Sequence, residues 1–186
     1  MKKGDGYEND DYPIYTMKRG FIPNILTFLN LSLGILSLIA TVQGDYLNSG
    51  LFILAAGLVD RYDGRIARLL HAESPLGKEL DSLSDLVSFG VAPALQAYFM
   101  FNLSEYSFLG LIPIIIFPVS GAYRLARYNS STFNGVFMGV PITIAGCVLA
   151  LFSLLLRNNL NLSFLIIFIM VALAYLMVST IKLPKR

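Results

Sequence analysis

Charge, cysteine and histidine are all scarce in this chain. Only 14% of its 186 residues are charged, where a soluble domain normally carries about 25%. A single cysteine, Cys147, excludes an intramolecular disulfide, so no oxidising compartment is implied. Set in an apolar run, it reads as a small buried hydrophobe. The one histidine, His71, has no partner spaced for catalysis and reads as a loop residue with a structural or solvent role. A formal net charge of +2 is too small to point to nucleic acid. There is no internal repeat of short fixed period and no low-complexity segment. No small-residue cleavage site follows the first apolar run, which excludes reading that run as a cleaved signal peptide.

What the chain has instead is apolar sequence, gathered into long stretches. Hydrophobic residues make up 55% of it and its mean hydropathy is +0.65. Since a helix needs about 20 mostly apolar residues to cross a bilayer, the runs predict six spans, at roughly 21–42, 47–69, 79–101, 107–126, 139–157 and 162–181. The connections at Gln43–Leu47 and Asn102–Tyr106 are short, so neighbouring helices should be antiparallel. The expected fold is all-α: a polytopic bundle of six transmembrane helices. Six crossings put both termini on one side. Thirteen of the fourteen lysines and arginines then fall on that side, and only Arg157 falls on the other. Such a bias marks the cytoplasmic side. The expected organisation is a polar N-terminal segment over 1–20, a catalytic membrane domain over 21–181 and a basic tail over 182–186. The end of the first segment, from Tyr12 to Arg19, mixes aromatic and cationic residues and suits the headgroup level.

Polarity and burial conflict in one place. The second predicted span ends with Asp60 and Asp63, and the third begins with Asp81 and Asp85. Spacings of three and four put each pair along one helical face. A short turn containing Ser74, Pro75 and Gly77 joins the two helices, so these faces are expected to meet near the cytoplasmic surface. Four gathered carboxylates are costly unless a cation neutralises them. Oxygen ligands without histidine or cysteine favour magnesium, manganese or calcium over zinc. Gly64 and Ala67 strip side-chain bulk from beside Asp63, where a ligand could approach the backbone. Arg68 lies one turn beyond Gly64, within reach of a phosphate. The competing readings are ordinary helix-end aspartates paired with Arg61, Arg65 or Arg68, and close helix packing at the small residues.

Asp60, Asp63, Gly64, Ala67, Arg68, Gly77, Asp81 and Asp85 stand at the spacing D-x2-D-G-x2-A-R-x8-G-x3-D-x3-D. In these eight positions the chain resembles the CDP-alcohol phosphotransferases, with no departure in residue or gap. The resemblance implies a six-helix membrane bundle, usually a homodimer, with two divalent metal ions. It implies that Asp60, Asp63 and Asp81 are principal metal ligands, and that Asp85 is the general base and also touches metal. Gly64, Ala67 and Arg68 would contact the CDP moiety of a CDP-activated lipid.

Further segments between about residues 20 and 150 are similar to the serine-accepting, membrane-embedded branch of that family. They begin with Pro23-Asn24 through Thr27 to Asn30, continue through Asp85 to Pro93 with Ser88, and include Arg124 to Asn129 and Phe137 to Pro141. Pro23, Asn24 and Thr27 are therefore expected to contact the CDP-lipid. Asn24, Thr27 and Asn30 form one stripe, whose plainer role is hydrogen bonding between helices. Arg124, Arg127, Ser88 and Asn129 are expected at the serine acceptor, arginine suiting its carboxylate through a bidentate fork; topology anchoring is the plainer reading of the two arginines. The sequence-level function is transfer of a phosphatidyl-type group from a CDP-lipid to L-serine, in the membrane, at a site open to the cytoplasm. Alternatives are another acceptor such as glycerol phosphate or inositol phosphate, a small cation transporter or channel, and a non-catalytic scaffold.

Overall fold

The structure, a computed structural model, describes residues 21–69, 74–130, 137–179 and 182–183. Helix dominates. We name the elements α1 (Phe21–Val42), α2 (Tyr46–Leu69), α3 (Pro75–Asp85), a π-helical segment (Leu86–Val91), α4 (Ala92–Met100), α5 (Phe108–Ser130), α6 (Ile142–Leu156) and α7 (Ser163–Val178). The backbone stays helical from α3 through the π segment into α4. The described helices therefore form six rods. Two-residue strands β1 (Phe137–Met138) and β2 (Lys182–Leu183) pair antiparallel.

The first hairpin is set by its turn chemistry. Gly44 takes the left-handed conformation, at φ +78°, that ends α1. Asp45 then caps α2, accepting from the Asn48 backbone N–H at 3.1 Å. Along the seam the Ser49 hydroxyl lies 3.0 Å from that of Ser37 and 2.7 Å from that of Thr41. Thr27, Asn30, Gly34, Ser37 and Thr41, alternately three and four residues apart, are all buried on one face of α1. Small and hydroxyl-bearing side chains allow such close approach and supply hydrogen bonds between helices.

The third rod begins earlier than the apolar run indicated, because Ser74 caps it: its hydroxyl accepts from the Gly77 backbone N–H at 3.0 Å, with Pro75 in the first turn. Pro75 and Gly77 thus belong to the helix rather than to a turn before it. The wide π turn ends beside Pro93, which has no N–H to give and crowds the carbonyl of Phe89. Phe89 is fully buried at the centre of the bundle, with Ile53, Ala56, Phe117, Ile142 and Leu149 in the same core. Backbones come close here. A Cβ on Gly146 would stand 2.7 Å from the Phe89 Cα, so only glycine lets α6 lie this near the π segment. Past α4, Asn102 and Ser107 both adopt positive φ in the tight connection to α5. The Ser163 hydroxyl ties the start of α7 to the Phe101 carbonyl at 3.0 Å.

The distribution of polarity is inverted relative to a water-soluble domain. Asn30, Ser37, Ser49, Asp85, Ser88, Gln96 and Ser153 are buried, while Phe28, Leu36, Ile115, Val119, Phe164 and Phe168 are exposed. Among the described residues, Asn24–Val42 of α1 and the whole of α5 are long and apolar enough to cross a bilayer; α6 and α7 are apolar but shorter.

Candidate metal and active site

Each candidate carboxylate is placed by a helix that leaves it little choice. Asp60 and Asp63 sit in the C-terminal half of α2, and Asp81 and Asp85 in α3. Oxygen atoms of Asp60, Asp81 and Asp85 all lie within 4.8 Å of one another. Asp85 is 6% exposed and Asp60 and Asp81 are half-buried. Asp63 is not part of this group. Three residues along a helix amount to about 300°, so Asp63 is turned about 60° from Asp60. Its carboxylate instead accepts a hydrogen bond at 2.5 Å from the Thr27 hydroxyl of α1.

The backbones of the two aspartate helices share little contact, yet their aspartate faces meet, as the spacing suggests, at Asp60, Asp81 and Asp85. α1 lies against both, and the carboxylates approach across the gap it spans. Its polar stripe supplies the bracing. Asn30 Nδ2 donates to Asp85 Oδ1 at 3.1 Å, and the Asn24 side-chain oxygen lies 3.6 Å from where a Cβ on Gly77 would stand. From the other side the Thr143 hydroxyl of α6 faces Asp85 Oδ2 at 3.4 Å. Among the described residues a Cβ at Gly64 would meet nothing within 4 Å, which leaves room beside Asp60 and Asp63.

The residues expected at the acceptor divide. Arg124 on α5 is half-buried, interacts electrostatically with Asp85, and keeps a buried Nε with no hydrogen-bond partner among the described residues. Arg127 donates from Nη1 to the Val178 carbonyl at 3.1 Å, and its guanidinium lies 5.8 Å from the Tyr123 ring centroid. Asn129 donates from Nδ2 to Ser82 Oγ at 3.0 Å and Glu79 Oε1 at 3.3 Å, leaving its buried Oδ1 unpartnered. Ser88 is fully buried and donates its hydroxyl to the Asn30 carbonyl at 3.0 Å, a contact between helices rather than one facing the aspartates. The side chains of Pro23, Ala67 and Arg68, and all of His71, lie outside the described residues.

Sequence reasoning missed Thr143 entirely and gave Asn30 no role toward Asp85. A hydroxyl in the first turn after Pro141 was the available signal for Thr143.

The donor set fits a hard divalent cation. Three carboxylates converge without a histidine or thiol among them, and oxygen-only sets select magnesium, manganese or calcium. Among the described residues no lysine or arginine closes an ion pair with Asp60, Asp81 or Asp85. A bound cation would offset their mutual repulsion.

Comparison with known proteins follows the same line. A family model described as CDP-alcohol phosphatidyltransferase matches residues 20–179. The chain is 36% identical over 173 residues to the CDP-diacylglycerol–serine O-phosphatidyltransferase of Helicobacter pylori, covering 88% of this chain and 71% of that protein. It is 41% identical over 164 residues to the protein of the same name from Methanocaldococcus jannaschii, covering 88% and 74%. It is 35% identical over 171 residues to the archaetidylserine synthase of Methanothermobacter thermautotrophicus, covering 88% and 70%. With a matching model over nearly the whole chain and the complete aspartate signature at the carboxylate cluster, this protein belongs to the CDP-alcohol phosphatidyltransferase family.

Proposed function

We propose that this enzyme transfers the phosphatidyl-type group of a CDP-activated lipid to the hydroxyl of L-serine and releases CMP. The observation that carries the reading is the convergence of Asp60, Asp81 and Asp85 beside Arg124, whose Nε has no hydrogen-bond partner among the described residues. The names of its relatives support a CDP-activated lipid as the donor and serine as the acceptor.

Asp60 and Asp81, with Asp85 at their edge and Asp63 braced by Thr27, are the residues that would hold two divalent ions. Bound there, such ions supply charge neutralisation to the pyrophosphate and to the departing phosphate. The chain's own residues do the rest. Asp85 accepts the proton of the serine hydroxyl. The hydroxyl oxygen forms a bond to the lipid-side phosphorus as the bond to the cytidylate oxygen breaks. The products are the serine phospholipid, CMP and the proton taken by Asp85. Arg124 and Arg127 hold the serine carboxylate; the open face at Gly64, with Ala67, Arg68 and the α1 residues Pro23, Asn24 and Thr27, receives the CDP portion. Ser88 and Asn129, both engaged in protein contacts, serve the acceptor by fixing the helices that carry Asp85 and Arg124.

The exposed apolar shell and the segregated basic residues support a bundle crossing the membrane six times. Both termini and the site then face the cytoplasm, so that serine enters from water while the lipid tails stay in the bilayer. Family resemblance supports a homodimer.

The test is acceptor competition. The purified enzyme in liposomes receives CDP-lipid, divalent metal and either serine or glycerol phosphate, and the lipid product is identified by mass. A serine phospholipid is expected. Efficient formation of the glycerol phosphate product in its place would overturn the acceptor assignment and leave the family assignment standing.

A further inference from the structure

Asp85 is approached by donors at both oxygens, and the two approaches are unequal. Asn30 Nδ2 lies 3.1 Å from Oδ1, whereas the Thr143 hydroxyl lies 3.4 Å from Oδ2. The first is within the ordinary range for an N–H···O bond; the second is long for an O–H···O bond and therefore weak. Asn30 is 1% exposed and Asp85 is 6% exposed, so neither group exchanges this contact for water at low cost.

The orientation of Asn30 is chemically forced. Turning its amide over would set Oδ1 against a carboxylate oxygen, two acceptors with no proton between them. The amide keeps its donor on Asp85 although its own buried Oδ1 then has no partner among the described residues. The same residue is held from behind. Its backbone carbonyl accepts the Ser88 hydroxyl at 3.0 Å. Asp85 and Ser88, three residues apart on one continuous rod, thus grip the two ends of a single α1 residue. Gly34, one turn along α1, admits Ser88 closely, since a Cβ there would stand 2.9 Å from the Ser88 Cα.

We propose that Asn30 is a positioning residue for the transfer reaction: it fixes Asp85 through Oδ1 and leaves Oδ2 as the atom that takes the acceptor's proton. This rests on the reading of Asp85 as the general base. The Ser88 contact with the Asn30 carbonyl fixes the height of Asn30 along α1, which sets where Oδ2 points. In this role Asn30 acts through Asp85 and not on the CDP-lipid or the acceptor directly. Its removal therefore affects turnover and not substrate affinity, because misplacing a catalytic group costs rate even where binding is retained.

The test combines Asn30→Leu, Asn30→Ala, Asp85→Asn and the two double variants, assayed in liposomes over ranges of serine, CDP-lipid and metal. Asn30→Leu keeps the branched shape in a somewhat larger volume and removes both the donor and the stranded carbonyl; Asn30→Ala gives the same chemical deletion with a smaller residue. If one of them does not yield monodisperse protein, the other carries the measurement. The expected result is a kcat lowered about 10- to 100-fold, with KM for serine and for CDP-lipid each within about threefold of the parent. On the Asp85→Asn background the Asn30 substitution is expected to cost no further rate, because a residue acting only through Asp85 has nothing left to position. A parent-like kcat in an Asn30 variant, beside a collapsed Asp85→Asn, would overturn the positioning role and leave the base assignment intact. Full multiplicative loss in the double variant, or a rise in KM with kcat unchanged, would overturn it as well. Parent-like turnover in Asp85→Asn itself would instead remove the general-base reading on which the proposal stands.

Discussion

The Thr27 hydroxyl of α1 donates to Asp63 Oδ2 of α2 at 2.5 Å, joining residues 36 positions apart in the chain. The bond holds Asp63 beside, and not within, the tight group formed by Asp60, Asp81 and Asp85. Thr27→Val keeps the branched shape and deletes the donor. A hydrogen bond to a charged group contributes about 1.5–3 kcal/mol, so the metal concentration giving half-maximal rate should rise about tenfold or more. Turnover at saturating metal should change little. Rate measured against metal concentration checks this; an unchanged curve would mean that Asp63 needs no bracing.

Replacing Asp60 or Asp81 by asparagine keeps shape and removes charge. Both variants, and Asp63→Asn, should lose turnover and bind divalent ions more weakly in calorimetric titration. Near-normal activity at limiting metal in any of them would contradict the ligand assignment.

Arg124 and Arg127 are separable from the aspartates by substrate dependence. Alanine at Arg124 should raise the KM for serine while CDP-lipid binding persists, since its Nε has no hydrogen-bond partner to lose among the described residues. Arg127→Ala should do so less, because this side chain already donates to the Val178 carbonyl. Ethanolamine, which lacks the carboxylate, should be a poor acceptor that loses little more when Arg124 is removed. Unchanged serine dependence in both variants would end the carboxylate-clamp idea.

Topology is checked by single cysteines placed at Asp45, Glu105 and Asn159, each exposed at a connection, in a Cys147→Ser background. An impermeant thiol reagent should reach all three from outside sealed cells, and none from the cytoplasmic face of inverted vesicles. Labelling from the cytoplasmic face alone would contradict the six-crossing arrangement.

The helices were legible because each apolar run is long and ends in strong punctuation: Gly44 and Asp45 close and open the first hairpin, and Ser74-Pro75 starts the third rod. The π segment was not legible, since Leu86 to Val91 reads as ordinary apolar helix and widens only through its packing against glycine-bearing neighbours and the proline beyond it. The spacing of the aspartates pointed to carboxylates that the fold brings near one another but could not rank them. Asp60 and Asp63 look equivalent at three residues apart, and only the position of Thr27 on another helix shows where Asp63 turns. Ser88 looked available to a ligand for the same reason: a hydroxyl near the site carries no mark in sequence of the carbonyl it will find. Thr143, from the far side of the bundle, is brought to Asp85 by α6, a contact between positions 58 residues apart that no local pattern encodes.

The central claim is metal-dependent transfer to serine, and release of CMP tests it most directly. CMP is measured from CDP-diacylglycerol in liposomes carrying the enzyme, with and without serine and with and without divalent metal, the metal being withdrawn by chelation and restored. The account predicts rapid CMP release only when serine and metal are both present, recovery when magnesium or manganese is returned, and little release from Asp85→Asn under any condition. Serine-independent release at the same rate, or full release in the presence of chelator, would contradict it.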